Sequence, residues 1–501
     1  MIPLKIGSVG EFEDLRTMLQ RANYTEKAIC DRLRFESIFD FRSTLELQSK
    51  PRASEDALDF LISLLMDGES VAESRLGELL PAGAIEILDA LGMLGRDAEF
   101  PGKCFAHAFL YPVESVYIAS DRTVPPNRKS QPLPDDVVYA AITANTRRFL
   151  ASLPETPCGS FLDLCSGTGV AAFAAAKRYA QHAWSCDITE RSERFTEFNR
   201  CLNGLENVTV GRGDLYEPVG SRRFDRIVAH PPYMPAFRDR SNLFFRDGGK
   251  DGEQILQRIV QGLADHLAPG GDFYCVTLAT DRENESFEQR IRRWLGAAEA
   301  EFDIVLVAYE VRRKSEEIIG SLVARGWLER LNPTIALYEE LKVTATFYGA
   351  VRIHRKSEPR PQATARVLRS ARAGRDVMDW LFRWETAAVQ PEFANRLLIS
   401  KPAIARDVKL IVTHTPEEGG LIPSAFSIKS DFPIVVDVEC APWVAVVLGA
   451  CNGSQTGLEI YEEMKGQQVL DPNMSAQDFA GVLRLLGSNG VLQFQEYPLP
   501  R

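Results

Sequence analysis

Short apolar segments alternate with helical segments between residues 160 and 278, and this pattern constrains the fold more than any other feature of the chain. The segments 161–165, 183–187 and 224–229 are short and apolar, as buried strands are, and each is followed by a polar or glycine-containing break. Strands that alternate with helices form parallel sheets covered on both faces. The sequence therefore predicts an α/β fold with a doubly wound, mostly parallel sheet.

The first of these strands runs directly into a loop of small residues that opens a helix, with the sequence Phe161-Leu-Asp-Leu-Cys-Ser-Gly-Thr-Gly-Val170. Gly167 and Gly169 can adopt positive φ and let backbone amides approach a ligand closely. Asp163 stands just before the loop, where its carboxylate could face a cationic group. The dinucleotide fingerprint G-x-G-x-x-G is not matched, because Ala172 occupies the position of its third glycine.

Two further aspartates follow the next two strands. Asp187 ends the second strand about 20 residues after the loop, where ribose hydroxyls need a carboxylate acceptor. Asp214 follows the third strand, at the place where such folds hold an adenine ring. Each aspartate alone is better explained as a helix cap or a turn residue, but three in register with a glycine loop favour a binding site.

This arrangement of strand, acidic residue, glycine loop and helix resembles motif I of the class I S-adenosylmethionine-dependent methyltransferases. The resemblance implies a Rossmann-like fold and S-adenosyl-L-methionine as the cofactor. No metal is expected, because the cysteines and histidines lack the spacing of zinc ligands. The cofactor-binding residues that it implies are Asp163, Cys165, Ser166, Gly167, Thr168, Gly169, Asp187, Ile188, Asp214, Leu215 and His230.

A second motif, Phe224-Asp-Arg-Ile-Val-Ala-His-Pro-Pro-Tyr233, ends a strand with two prolines, so the chain must turn there. It resembles the Asn-Pro-Pro-Tyr motif of methyltransferases that modify planar nitrogens in nucleic-acid bases or in the glutamine amide of release factors and ribosomal proteins. In those families the asparagine side chain and the first proline carbonyl accept the target N–H bonds, while the aromatic ring stacks on the planar group. The resemblance implies His230, Pro231 and Tyr233 as catalytic residues.

The histidine at the first position departs from the family motif. A neutral imidazole offers one acceptor, and it can also take a proton near pH 7. His230 therefore either holds the target N–H as asparagine would, or acts as a general base for a hydroxyl, thiol or less planar nitrogen. A third reading is a turn histidine with no chemical role. Positioning of the target is the favoured interpretation.

The resemblance covers residues 137–353 and extends to the "methyltransferase small domain" group, because a glycine-rich loop at 245–252 and a turn at 267–271 follow in order. Two breaks, a proline-rich stretch at 124–134 and a basic stretch at 354–375, separate this part from its flanks. The sequence predicts a helical, winged-helix-like domain over residues 1–125, in which a pair of strands at 103–111 and 115–119 follows the helices. It also predicts an α+β domain with a winged-helix-like end over residues 376–501.

Charge is distributed unevenly along a chain whose net charge is −11. The segments 1–125, 126–375 and 376–501 carry −8, +4 and −7, so the acidic flanks argue against duplex DNA as a partner. The stretch 351–375 holds eight basic residues and one acidic residue, and could grip RNA or form a solvated face. No apolar run has the length of a membrane span or a leader. The nine cysteines are scattered singly, which favours a cytoplasmic protein with free thiols.

Together these features predict a methyltransferase that acts on a nitrogen of a protein or RNA acceptor. Two alternatives stay open. One is an O-, S- or N-methyltransferase of a small specialised metabolite, and the other is a catalytically silent regulatory protein that keeps the cofactor pocket. A homodimer formed through the flanking domains is a further expectation.

Overall fold

The computed structural model describes residues 2–41, 55–97, 100–123, 133–236, 244–313, 317, 320 and 328–500. The chain divides into two compact units, Met1–Val276 and Thr277–Arg501. Most of the proline-rich stretch that the sequence marks as a break, residues 124–132, lies outside the described residues. No helix in these described ranges is long and apolar enough to cross a membrane.

The first unit begins with helices and a small antiparallel sheet. The first helix starts at a capping box, in which Ser8 and Glu11 satisfy each other's backbone amides. Its helices are Val9–Arg21, Glu26–Leu33, Ala57–Leu61, Glu73–Leu79 and Ala84–Ala90, with the π-helix Ile62–Asp67 and the 3-10 helix Ile38–Asp40. Strands β1 (Val71–Ala72), β2 (Leu94–Arg96) and β3 (Lys103–Ala106) pair antiparallel in the order β1-β3-β2.

The strand pair predicted after these helices is divided differently in the structure. Residues 103–111 were expected to form one strand, but β3 ends at Ala106 and a new strand, β4 (Ala108–Val113), begins after His107. Strand β4 forms a separate hairpin with β5 (Val116–Asp121). The hairpin is apolar on both faces, which explains why sequence alternation did not separate it from β3.

The core of the first unit is a parallel sheet, as predicted. Its strands are β6 (Cys158–Leu164), β7 (Ala180–Asp187), β8 (Val208–Arg212), β9 (Phe224–Ala229) and β10 (Leu267–Arg282). They lie in the order β10-β9-β6-β7-β8, and every neighbouring pair is parallel. The chain runs outward from β6 to β8, then returns to the other side of β6 to form β9. The strand order therefore reverses between β6 and β9.

Helices alternate with these strands, as predicted, and one further helix that the sequence analysis did not predict precedes β6. They are Ala144–Ser152, Val170–Arg178, Glu190–Asn203, Gln254–Gln261 and Leu263–His266, with the 3-10 helix Glu217–Val219. Because crossovers are right-handed and the sheet is built outward in both directions, the helices cover opposite faces. The single helix predicted over 252–267 is divided at Gly262, where a Cβ would lie 2.4 Å from the ring of Tyr216.

The second unit contains strands β11 (Phe302–Arg312), β12 (Val343–Arg355) and β13 (Thr364–Leu368). Strand β11 pairs antiparallel with β12 and parallel with β13. The expectation that residues 354–375 form a break is therefore wrong over β13, since a full strand lies there. Its helices before residue 376 are Phe287–Leu295 and Leu328–Glu340, with the 3-10 helix Gly296–Glu301.

The remaining residues form both helices and strands. The helices are Asp376–Ala388, Phe393–Ile399, Pro442–Ala450, Gly457–Gly466 and Ala476–Ser488. Strand β14 (Ala403–Ile404) pairs with the last strand, β18 (Leu492–Gln493), and an antiparallel meander is formed by β15 (Lys409–Glu417), β16 (Gly420–Asp431) and β17 (Val435–Cys440). Trp384 is fully buried and donates to the Ser488 hydroxyl at 2.8 Å, which ties the first of these helices to the last.

Candidate active site

The predicted site residues follow the carboxyl ends of four neighbouring strands. Leu164 at the end of β6 is in register with Ala229 of β9 and with Cys186 of β7, and Asp187 is in register with Arg212 of β8. Neighbouring strands lie about 4.8 Å apart, so the structure brings together the loop after β6, the end of β7, the turn after β8 and the motif after β9. This is the point where the strand order reverses, which is where open α/β sheets bind ligands.

The loop after β6 has the backbone conformation that its glycines predict. Cys165, Gly167 and Gly169 have φ values of 55°, 56° and 80°. A Cβ on Gly169 would lie 2.7 Å from the Phe173 ring, so this side of the loop is closed by packing. No described atom lies within 4 Å of the position that a Cβ of Gly167 would take, so the loop is open at that residue.

Two carboxyl groups lie beside this loop, that of Asp163 buried and that of Asp187 half-buried. Asp187 accepts the Gly167 amide at 2.9 Å and the Thr189 amide at 3.3 Å, and Asp163 accepts the Ala172 amide at 3.3 Å. Burial raises the pKa of both carboxyls, to about 8 for Asp163, while these amides act in the opposite direction. The negative charges are thus costly in the protein alone, and a cationic ligand would compensate for them.

Two other predicted cofactor-binding residues carry side chains that suit an adenosine ligand. The Ser166 hydroxyl is buried and has no hydrogen-bond partner among the described residues. Ile188, next to Asp187, is an apolar side chain that is 52% exposed. A hydroxyl and a carboxylate can meet ribose hydroxyls, and an apolar side chain can cover a purine face. The residues present therefore fit S-adenosylmethionine.

Asp214 lies in the turn after β8, as predicted, but it is not isolated there. Its carboxylate accepts a hydrogen bond from Arg258 at 2.7 Å, and Leu215 beside it has a φ of 54°. The neighbouring Tyr216 ring stacks on His266 with centroids 4.1 Å apart. Sequence reasoning missed Arg258, because a helix 44 residues later carries no signal that links it to this turn.

His230 follows β9 and lies among aromatic rings. Its imidazole stacks on Phe149 with centroids 5.2 Å apart and an interplanar angle of 21°, and the Tyr233 ring lies 6.1 Å away. The Nε2 atom is buried without a hydrogen-bond partner in the described part of the chain. Burial lowers the pKa of His230 to about 4, so the imidazole is neutral at physiological pH.

A helix that the sequence analysis did not connect with this motif supports its aromatic ring. Asn145 donates from Nδ2 to the Tyr233 hydroxyl at 2.7 Å, and Phe149 stacks on His230. The two residues are four apart on the helix Ala144–Ser152, so they lie on one face. The motif's first proline, Pro231, is buried.

The glycine-rich loop noted in the sequence packs against the same motif. The Met234 amide donates to the Arg246 carbonyl at 3.0 Å, and the Gly248 amide donates to the Met234 carbonyl at 2.9 Å. Gly252 has a φ of 83°, and a Cβ there would lie 2.6 Å from the Tyr233 carbonyl oxygen. Glycine is therefore required at this position for the loop to approach the motif.

Comparisons with known proteins agree with this geometry. Residues 138–304 match the family model of the methyltransferase small domain. The ribosomal protein uL3 glutamine methyltransferase of Bradyrhizobium diazoefficiens is 33% identical over 160 residues, which are 29% of this chain and 50% of that protein. A Methanocaldococcus jannaschii protein, whose name assigns it provisionally as a protein N5-glutamine methyltransferase, is 31% identical over 145 residues, which are 28% of this chain and 72% of that protein.

A release factor glutamine methyltransferase from Thermodesulfovibrio yellowstonii is 28% identical over 120 residues, which are 22% of this chain and 43% of that protein. The chain thus spans about half the length of the first of these relatives. The parallel sheet, its glycine loop and the motif after β9 define the Rossmann-like fold of the class I S-adenosylmethionine-dependent methyltransferases. Within that class, the chain belongs to the methyltransferase small domain family.

Proposed function

We propose that this protein transfers a methyl group from S-adenosylmethionine to a planar nitrogen, the side-chain amide of a glutamine in a protein. The observation that carries the proposal is the neutral His230, whose buried Nε2 has no partner among the described residues and belongs to a motif with Tyr233. The names of the three relatives, all glutamine methyltransferases, support the same acceptor.

The cofactor would be held at the ends of β6, β7 and β8. Asp163 and the loop 165–169 would face its charged part, Asp187 would accept the ribose hydroxyls, and Asp214 with Leu215 would meet the adenine. Ile188 would cover one face of the purine. When bound, S-adenosylmethionine supplies a methyl carbon on a positively charged sulfur.

His230 acts in this proposal by positioning the target. With a pKa of about 4 its imidazole is a weak base, far from the range near the working pH at which general bases are effective. A neutral imidazole can still accept one N–H through Nε2, and the Pro231 carbonyl can accept the second N–H of a planar amide. Tyr233 would stack on the amide plane. Holding the nitrogen in line for transfer is the main contribution of such a site.

A protein acceptor is favoured over RNA by the contacts of the basic stretch. Arginines 352, 355, 360, 366 and 372 each pair with a carboxylate of the second unit. These carboxylates belong to Asp379, Glu301, Asp303, Asp281 with Glu288, and Asp431. Charges that are paired within the protein release few counterions from a nucleic acid, so this stretch is a poor RNA-binding surface.

The predicted flanking domains, 1–125 and 376–501, are proposed to hold the acceptor protein or a second copy of the chain. Over residues 57–106 the order of a helical segment, β1, two helices, β2 and β3 is the order of a winged helix, which supports the winged-helix interpretation of the domain 1–125. We keep the predicted domains 137–353 and 376–501 in this proposal.

The test uses methyl-labelled S-adenosylmethionine and a size-fractionated extract of the source cells, with each labelled fraction then treated with protease or nuclease. We expect label in a protease-sensitive fraction, and acid hydrolysis of that fraction should release labelled methylamine, as an N-methylated glutamine amide does. Label that is sensitive to nuclease, or confined to small molecules, would overturn the glutamine proposal.

Two variants of one residue test the role of the imidazole. His230→Asn restores the family motif and should keep or improve turnover of the same acceptor. His230→Ala leaves one N–H of the target amide unpaired. The fall in its kcat/KM should correspond to a loss of about 1–3 kcal/mol of transition-state stabilisation. Calorimetry should give the same cofactor affinity for both. A loss of turnover in His230→Asn as large as that in His230→Ala would favour a base instead.

A further inference from the structure

The hairpin strand β5 is attached to the helix Glu190–Asn203 by two asparagines. Asn199 accepts the Ala119 amide at 2.7 Å and donates to the Ala119 carbonyl at 3.0 Å. Asn203 accepts the Tyr117 amide at 2.8 Å and donates to the Tyr117 carbonyl at 2.7 Å. Each side-chain amide thus pairs with both backbone groups of one strand residue, as the backbone of a neighbouring strand would.

The spacing of the two asparagines matches the spacing of their partners. Residues four apart on a helix are separated by about 6 Å along its axis, and residues two apart on a strand by about 6.8 Å. Arg191 on the same helix adds a third attachment, with Nε and Nη2 each 2.6 Å from the Asp121 carboxylate. The strand is therefore held along most of the length of the helix.

Asn199 also contacts the cofactor loop, which distinguishes it from Asn203. Its Nδ2 donates to the Thr168 carbonyl at 3.1 Å as well as to β5, and the residue is fully buried. The Nδ2 of Asn203 instead donates to the Asn199 carbonyl of its own helix at 2.8 Å. One buried amide group thus joins the N-terminal hairpin to the loop.

A second side chain of the helix holds the preceding carbonyl of the loop. Thr196 donates from its hydroxyl to the Gly167 carbonyl at 2.9 Å. Because peptide units are planar, holding the carbonyls of Gly167 and Thr168 also orients the amides of Thr168 and Gly169. The Gly169 amide donates to the Ser166 carbonyl at 2.9 Å, so the contact at the Thr168 carbonyl fixes the turn of the loop, while the contact at the Gly167 carbonyl orients the Thr168 amide.

We infer that Asn199 is a positioning residue through which the hairpin Ala108–Asp121 sets the conformation of the cofactor loop, so that the N-terminal segment determines part of the cofactor affinity. This inference rests on the proposed function in one respect, since the ligand of the loop is taken to be S-adenosylmethionine. It assigns the N-terminal segment a role in cofactor binding that is independent of the acceptor.

The test compares Asn199→Ala with Asn203→Ala in the full chain, using calorimetric titration with S-adenosylhomocysteine. Both variants lose contacts to β5, and Asn199→Ala should lose more thermal stability because Asn199 is fully buried and also bonds to the Thr168 carbonyl. Asn199→Ala should weaken binding roughly tenfold, the value of about one hydrogen bond. Asn203→Ala should stay within about twofold of the wild type, since the side chain of Asn203 bonds to Tyr117 and to the Asn199 carbonyl and not to the loop. Equal affinities of the two variants would overturn the inference and leave the proposed function intact.

A measurement on the wild-type chain covers the case in which Asn199→Ala does not fold. Coupling between two sites is reciprocal, so S-adenosylhomocysteine should slow hydrogen exchange of the hairpin peptide that contains Ala119. Unchanged exchange in that peptide, with slower exchange in the loop 165–169, would overturn the inference alone. Failure of the wild-type chain to bind S-adenosylhomocysteine would overturn the proposed function together with the inference.

Discussion

Replacing His230 by asparagine should make the protein more resistant to acid. The imidazole has a pKa of about 4 in the folded chain, against an ordinary value of 6.5, because burial disfavours its charged form. The unfolded chain therefore binds a proton between pH 6.5 and 4 that the folded chain does not. Stability supplied by the neutral imidazole is complete above pH 6.5 and is lost as the pH falls towards 4.

The size of this effect follows from the two pKa values. The full difference corresponds to about 3 kcal/mol, and about 2 kcal/mol of it is lost between pH 7 and pH 5. An asparagine does not titrate, so His230→Asn should escape this loss. The comparison uses the change in unfolding free energy between pH 7 and pH 5 for each protein. A difference in stability between His230→Asn and the wild type at pH 7 therefore does not affect it.

Urea unfolding of both proteins at pH 7 and pH 5 measures the effect, if the slope of free energy against urea is the same for each. His414→Asn, which replaces an exposed histidine of β15, is the matched control and should follow the wild type. Equal losses in the wild type and in His230→Asn would refute the reasoning. They would mean that the His230 imidazole titrates near its ordinary value, and the alternative in which it acts as a general base would be open again.

Three further substitutions test the site and its support. Gly169→Ala combines a φ of 80° with a contact of 2.7 Å to Phe173, so thermal unfolding should show a loss of about 1–3 kcal/mol; a variant as stable as the wild type would contradict this packing. Asp121→Asn removes the carboxylate that pairs with the buried Arg191, and urea unfolding should show a loss of about 3–5 kcal/mol, whereas a loss below about 1 kcal/mol is what an exposed pair would give. Asp187→Ala should weaken calorimetric binding of S-adenosylmethionine by about 1–3 kcal/mol, and unchanged affinity in a folded variant would move the ribose contact elsewhere.

The sequence was sufficient for the parallel sheet because local patterns carried the information. Strands β6 to β9 were predicted within a few residues, since each is a short run bounded by a polar or glycine-containing turn. Strand β10 is longer than predicted, because it begins at Leu267, inside the segment 267–271 that was predicted as a turn. The loop conformation at Gly167 and Gly169 was also predictable, because positive φ is inexpensive at glycine. Strand β13 was missed, since the basic stretch 351–375 that contains it resembles a solvated linker until the carboxylate partners of its arginines are known.

The sequence by itself determined which chemical groups follow each strand: an acidic residue before a glycine loop, a second acidic residue after β7, and His-Pro-Pro-Tyr after β9. Tertiary structure alone decided what those groups can do. The low pKa of His230 depends on burial against Phe149, and the Tyr233 hydroxyl is held by Asn145, 88 residues away in the sequence. Burial and partner geometry depend on contacts between distant segments, and a linear pattern of residue types does not contain them.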